Sequence, residues 1–322
     1  MEGQRLEQRL ADALTGELSQ LVRTCSTSPL DRSDRFHTLL RIYDLLIGPL
    51  SEGGPEARLA THPAVAGLKW RLENQWLEEL SEHASAVDGV SEANAVEGMR
   101  TLAARDRLPK VYRWLAKDAD REQLIAFLAA EGGPDATFDD LVACGQLGLT
   151  GEAKLEMARN YWDEMGDGAA GSVHTELHKT MLTTVGLPTT VDRTAMTECA
   201  LERAALPGLL ATNHWLQPEL LGALGMVELQ AGPRCQLVVK AMTRLRLPAE
   251  ALRFYEVHAA VDPKHGSDWL AQVIRPTLRR NPAWHYRVIR GARWRLALND
   301  EFLAELHVRL LTGAFAPVRR AA

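Results

Sequence analysis

His258-Ala-Ala-Val-Asp262-Pro-Lys-His265 is the stretch on which the reading of this 322-residue chain turns. Its three polar ligand-type residues fall at i, i+4 and i+7. At roughly 100° per residue these positions lie within about 60° of one another on a helix surface. Two imidazoles and a carboxylate on one stripe form a ligand set for a metal ion, whereas a hydrophobic core would put apolar side chains there. The same residues also read as a surface helix carrying two histidines and an N-capping Asp262, and this stretch alone leaves both readings open. Pro263 complicates either one, because it removes a backbone donor and is expected to kink or restart the helix at Asp262.

Outward from this stretch the chain reads as helix after helix. Leu6, Leu10, Leu14, Leu18 and Leu21 recur every three or four residues, the stripe of an amphipathic helix. Similar stripes cover 34–48, 66–85, 95–105 and 118–131, separated by turn-rich stretches such as Ser51-Glu-Gly-Gly-Pro55 and Glu131-Gly-Gly-Pro134. Thr150 is an N-cap for a helix over 151–165, which Gly166-Asp-Gly-Ala-Ala-Gly171 ends. Ser172 caps the next, running to about Val185. Gln217-Pro218 opens a further helix, and others are expected over 234–246, 248–261, 265–280 and 286–312. No repeat or low-complexity linker interrupts them. The expected fold class is all-α.

Further carboxylates stand on other helices. Glu164 shares a face with Met157 and Tyr161, so it reads as buried, whereas Asp163 falls with Glu156 and Arg159 and reads as solvated. A buried carboxylate needs a counter-charge or a metal. His174 follows after the glycine-rich break. Glu228 interrupts the apolar run Leu220-Leu-Gly-Ala-Leu-Gly-Met-Val-Glu228-Leu-Gln-Ala-Gly232, where Gly225 and Gly232 would leave space around it. Oxygen and nitrogen donors without cysteine disfavour a structural zinc site and suit iron or manganese. The set exceeds the needs of one metal, yet the chain has no Glu-x-x-His motif of the ferritin-like kind.

The ordered set Glu164, His174, Glu228, His258, Asp262, His265 resembles the heme-oxygenase-like di-iron oxidases and oxygenases, a superfamily also called iron-containing redox enzymes. The intervals from Glu164 to His174, on to Glu228 and on to His258 are 10, 54 and 30 residues, and the closing His-x3-Asp-x2-His is matched residue for residue. The resemblance implies a heme-oxygenase-like helical bundle over 111–322, with 1–110 an additional N-terminal helical segment packed on it or used in a homodimer. It implies a non-heme di-iron centre, Fe(II)/Fe(III) with O2 as co-substrate and no heme, whose ligands are those six residues. Some members add a carboxylate from a preceding helix; Glu131 is the candidate, with Glu156 and the Asp139-Asp140 pair competing. The substrate implied is a small molecule, a free amino acid or amine, undergoing N-oxygenation, desaturation or cyclisation in natural-product biosynthesis, with an external electron donor available to the centre. Tyr161, on the Glu164 face, could line the substrate pocket or simply pack in the core.

Composition bounds the alternatives. A 46% hydrophobic and 25% charged chain has ample material for a core, and its net charge of −5 gives no reason to expect a nucleic-acid or membrane partner. The charged N-terminus lacks the apolar core of a signal peptide, no apolar run approaches the roughly 18 residues of a membrane span, and four scattered cysteines form no motif; a cytoplasmic location is expected. Two rivals stand beside the di-iron reading. One is a metal-free protein of the same fold. The other is a nucleic-acid-binding module over 275–298, where seven arginines are interleaved with Trp284, Tyr286 and Trp294 and no acidic residue occurs.

Overall fold

The computed structural model describes residues 5–27, 31–48, 54–84, 94–106, 108–131 and 138–314, and among these residues the chain is helical with no strand. The helices are α1 (Leu6–Thr15), α2 (Leu18–Cys25), α3 (Arg32–Ile47), α4 (Pro63–Ala84), α5 (Ala95–Arg105), α6 (Lys110–Lys117), α7 (Arg121–Glu131), α8 (Phe138–Gly145), α9 (Gly151–Glu164) and α10 (His174–Thr184). They continue with α11 (Glu198–Thr212), α12 (Gln217–Arg244), α13 (Ala249–Asp268), a π-helical run Trp269–Ile274, α14 (Arg275–Arg280) and α15 (His285–Thr312). The leucine stripe of the first twenty residues is split at Gly16 into two helices. The turn-rich stretches at 51–53 and 132–134 lie outside the described residues.

Contacts divide the chain into two units, one of Met1–Ala86 with Asp192–His214, the other of Val87–Val191 with Trp215–Ala322. This partition differs from a division at residue 110. Residues 192–214 rejoin the first unit because α11 packs on α3 and supplies Glu202, which accepts from Trp76 Nε1 at 2.7 Å and from Arg32. Gly208 of α11 lies flat on the Tyr43 ring, where a Cβ would come within 2.2 Å. Helix α11 shows no clear stripe in the sequence because it is buried on nearly every side, Leu201, Ala205, Leu206, Leu209 and Leu210 included. Glu73, equally buried, accepts from Tyr43, Lys69 and Asn213, each at 2.9 Å.

The second unit is built on α12, which packs against α13, α15 and α6. Helix α12 runs unbroken through Pro233, where a boundary was expected, because both of its halves are buried. The single backbone bond and clash at a helical proline, about 3 kcal/mol, are smaller than the burial gained on either side. Small residues let neighbouring helices touch backbone to backbone. A Cβ on Gly222 would stand 2.0 Å from the Val288 carbonyl, and one on Gly291 would stand 2.0 Å from that of Glu219. Gly225 and Gly232 do not leave empty space beside Glu228. They receive the Trp269 ring and the Pro263 ring of the next helix.

Pro263 does not restart the helix. Helix α13 is continuous from Ala249 to Asp268, so Asp262 is no N-cap and presents its carboxylate from mid-helix. The wider π turn follows instead at Trp269–Ile274, and it seats Trp269 against α12 with its Nε1 donating to the Leu221 carbonyl at 3.0 Å. The arginine-rich C-terminal stretch is spent largely on internal pairing. Glu219, fully buried, accepts from Arg287 Nε and Nη2 at 2.8 and 2.7 Å and from Arg290, while Trp294 is buried.

Candidate metal centre

Four helices of the second unit bring the polar residues together. Glu164 is the last residue of α9 and His174 the first of α10. Between them Gly166, Asp167 and Gly168 adopt φ of 60°, 52° and 83°, a left-handed turn that glycine reaches without strain and aspartate tolerates. The turn doubles the chain back so tightly that a Cβ on Gly166 would strike the Ser172 backbone at 2.4 Å. His174 Nδ1 therefore stands 2.8 Å from Glu164 Oε2, both side chains buried. His258 of α13 meets His174 edge to face, ring centroids 4.6 Å apart. Its Nδ1–H donates to the Phe254 carbonyl at 2.6 Å, which leaves Nε2 as the lone-pair nitrogen. Burial pushes His258 below the usual histidine range, toward the neutral imidazole that binds metals.

A second group lies alongside. His265 Nδ1 is 3.5 Å from Glu228 Oε2 and 3.9 Å from Asp262 Oδ1. The potential ligand atoms of Glu164, His174 and His258 all fall within 4.8 Å of one another, and so do those of Glu228, Asp262 and His265. Each trio could hold a metal ion. The structure thus gathers the six residues into two sets of three, drawn from α9, α10, α12 and α13.

The electrostatics are those of acids crowded without enough cation. Burial, and then the Glu228 charge, push the Asp262 carboxyl up to about 9. Burial also raises Glu228. Burial works against charge on His265, yet its hydrogen bonds to Asp163 and Glu228 carry it up to about 10. Asp262 Oδ2 and Asp139 Oδ1 are buried with no hydrogen-bond partner. Such unsatisfied oxygens cost about 1–3 kcal/mol each in a dry interior, and a divalent cation would satisfy several at once. The donor set therefore fits a pair of hard-to-borderline metal ions.

Asp163, expected in solvent, is half-buried with Oδ2 3.2 Å from His265 Nε2, which holds its carboxyl below the usual range. Asn160, one turn before Glu164, donates from Nδ2 to Glu228 Oε1 at 2.7 Å. Glu131 is not part of either trio: its carboxylate accepts from the Tyr112 and Tyr255 hydroxyls at 3.0 and 3.3 Å. Glu156 turns away to Arg159. Asp139, one of the competitors, has its carboxyl raised by burial, then by Asp140, and also by the Glu164 charge. Tyr161 is half-buried and does not line the cavity; Asn160 holds the inward position on that turn. His178, one turn beyond His174 on α10, does line it and packs on the Phe254 ring at 4.9 Å.

The cavity itself measures about 100 Å³ and is lined by Glu164, His174 and His258 of one trio and by Glu228 and Asp262 of the other. Phe138, Val227, Ala231 and Phe254 make its apolar wall. Among the described residues no helix is long and apolar enough to cross a membrane. A protein-family model described as "iron-containing redox enzyme" matches residues 126–300, more than half of the chain. The matched segment contains all six residues of the two trios. No curated protein matches the chain.

Proposed function

The chain belongs to the iron-containing redox enzyme family, and on that premise we propose that it is a non-heme di-iron oxidoreductase that uses O2 to oxidise a small molecule. The observation that carries this reading is the pair of buried trios opening on one cavity. Glu164, His174 and His258 would hold one iron, and Glu228, Asp262 and His265 the other. Asp139 is favoured over Glu131 as the additional carboxylate, because its buried Oδ1 lacks a donor whereas Glu131 is engaged by two tyrosines. Cys235 also lines the cavity, but burial drives its thiol well above the usual range, so it stays protonated and a poor ligand.

When bound, the irons supply the electrons and the redox chemistry that O2 reduction requires. The chain's own residues orient and insulate. The Phe254 carbonyl locks the His258 ring, the Asn160 amide fixes Glu228, and Asp163 fixes His265 from the far side. Phe138, Val227, Ala231 and Phe254 exclude water from the space between the trios, which strengthens every charge interaction there. A cavity of about 100 Å³ suits a small substrate. A free amino acid or amine undergoing N-oxygenation, desaturation or cyclisation is the proposed class, in natural-product biosynthesis.

The test is metal analysis after anaerobic Fe(II) loading, followed by O2 uptake with and without added amino acids. About two irons per chain are expected, roughly half of that in His258→Ala, and uptake stimulated by the substrate. Loading near zero, or loading indifferent to His258→Ala, would defeat the proposal.

A further inference from the structure

Helix α9 lies alongside the unbroken run of α13, the π turn and α14, in the opposite sense: Thr150 meets Arg280, Arg159 meets Gln272 and Asp163 meets His265. The seam between them passes over the outer edge of the Glu228, Asp262 and His265 trio. His265 is the most exposed member of that trio, its side chain 12% accessible against 3% for Glu228 and 4% for Asp262. Asp163, which meets its Nε2, is half-buried, and the residue before it, Trp162, is exposed.

On α9, Leu155, Arg159 and Trp162 stand at i, i+4 and i+7, one helix stripe, with Leu155 60% and Trp162 54% exposed. On the facing run Lys264, Asp268, Gln272, Arg275 and Arg279 succeed one another every three or four residues. The acids of the seam are answered on the spot: Glu156 by Arg159, Asp163 by His265 and Asp268 by Lys264. Arg275 and Arg279 are exposed cations outside that pairing and outside the Glu219 cluster. The result is an apolar centre of one tryptophan and one leucine with a cationic rim, on a chain whose net charge is −5. Exposed apolar side chains rimmed by polar ones mark interaction sites, and Trp and Arg are the residues that anchor them.

We propose that this seam is the docking face of a small acidic one-electron carrier protein, seated on Trp162 and Leu155, steered by Arg275 and Arg279, and delivering electrons by way of His265. Two carriers each give up one electron, and the pair returns two Fe(III) to two Fe(II); no bond or proton changes hands. The delivery rests on the proposed function, whereas the binding of an acidic protein does not. Electron-transfer encounters are small, under about 1,200 Å², which suits so compact an apolar centre, and charge there governs the rate of encounter. A second copy docked face to face would set Arg275 and Arg279 against their own kind. A nucleic acid needs cations along a backbone track, whereas these surround an apolar centre.

The probe is a plant-type iron–sulfur ferredoxin of net negative charge, titrated by calorimetry into the iron-loaded and the metal-free chain; its oxidation by the air-oxidised, iron-loaded chain is followed by stopped flow. Both forms are expected to bind it. Arg275→Glu combined with Arg279→Glu should weaken binding and slow electron transfer by about tenfold or more, at unchanged iron content. Salt near 1 M, where screening sets in at about 3 Å, should do the same. Arg253→Glu, an exposed cation about 16 Å of helix before Lys264, is the control for bulk charge and should change either quantity less than about twofold. Should the double variant fail to fold, the salt dependence and Trp162→Gln, expected to weaken binding, decide in its place. No binding, binding indifferent to the double reversal, or an equal effect of Arg253→Glu overturns the docking face. Binding without oxidation of the ferredoxin by an iron-loaded chain overturns the carrier, and displacement of ferredoxin by a single-stranded oligonucleotide at lower concentration returns the face to nucleic acid. Salt-sensitive ferredoxin binding by a chain that takes up no iron would instead sink the di-iron reading and spare the docking face.

Discussion

Replacing Asn160 with alanine is expected to weaken one metal position and spare the other. The Asn160 side chain is 4% exposed, and its amide donates to Glu228 Oε1 at 2.7 Å. A buried hydrogen bond from a neutral donor to a carboxylate is worth about 1.5–3 kcal/mol. The other Glu228 oxygen lies 3.5 Å from His265, so without the amide the carboxylate is steered from one side only. At about 1.4 kcal/mol per decade, affinity at Glu228, Asp262 and His265 should fall about 10- to 100-fold, the usual scale for an outer-shell partner. Folding is affected differently. Asn160 Oδ1 is itself buried without a donor, so the substitution also removes a penalty of about 1–3 kcal/mol. The two effects offset, and the metal-free chain should change in stability by no more than about 1 kcal/mol. Anaerobic Fe(II) titration against a competing chelator reads the first quantity, and urea unfolding of the metal-free protein the second. Equal weakening of both positions, or a stability loss beyond about 3 kcal/mol, would show that Asn160 is a packing residue and that the argument is wrong.

Glu219→Gln should destabilise by about 2–4 kcal/mol in urea: breaking a buried pair costs about 3–5 kcal/mol, discounted because Arg287 and Arg290 are 20% and 32% exposed; a loss under 1 kcal/mol would mean that solvent already carries these arginines. Gly291→Ala should cost at least about 1–3 kcal/mol through overpacking, since its Cβ meets a backbone carbonyl at 2.0 Å, whereas Gly67→Ala in α4, with nothing within 4 Å, should stabilise by about 0.5–1 kcal/mol. Thermal melts of the pair should move in opposite directions. Asp139→Asn should lower iron retained after gel filtration while Glu131→Gln leaves it unchanged; the reverse pattern would return the additional carboxylate to Glu131. Iron loading should stabilise the chain by about 2.7 kcal/mol per position at a hundredfold excess over Kd, and an unchanged melt at saturation would argue against a buried site.

Much of the centre was legible because a helix carries its own ruler. His258, Asp262 and His265 were readable as one face from spacing alone, since 3.6 residues per turn leaves little choice. The glycine-rich break between Glu164 and His174 was readable as a helix end, and the positive φ values show why glycine is needed there. Asp163 was misjudged because periodicity tells which residues share a face but not what approaches that face, and His265 comes from a hundred residues away. Asn160 gave no signal, being an ordinary polar residue until Glu228 is set beside it, and Asp139 was one competing carboxylate among several until Glu164 is set near it. Tyr161 was placed by sharing a face with Glu164, but 60° of helix rotation is enough to carry a ring out of a small cavity.

By itself the sequence determined the helical class, which rests on local periodicity, and it carried in an ordered set of six residues the resemblance to the family whose model matches the chain. Only the tertiary structure decided that the six divide into two trios, that α11 returns to the N-terminal unit, and that Glu219 consumes two of the C-terminal arginines. It also decided that Pro263 and Trp269 fill the notches beside Glu228. Each of these depends on which helix faces meet across long stretches of chain. That is settled by burial and close approach summed over the whole fold, and no local window of residues contains the sum.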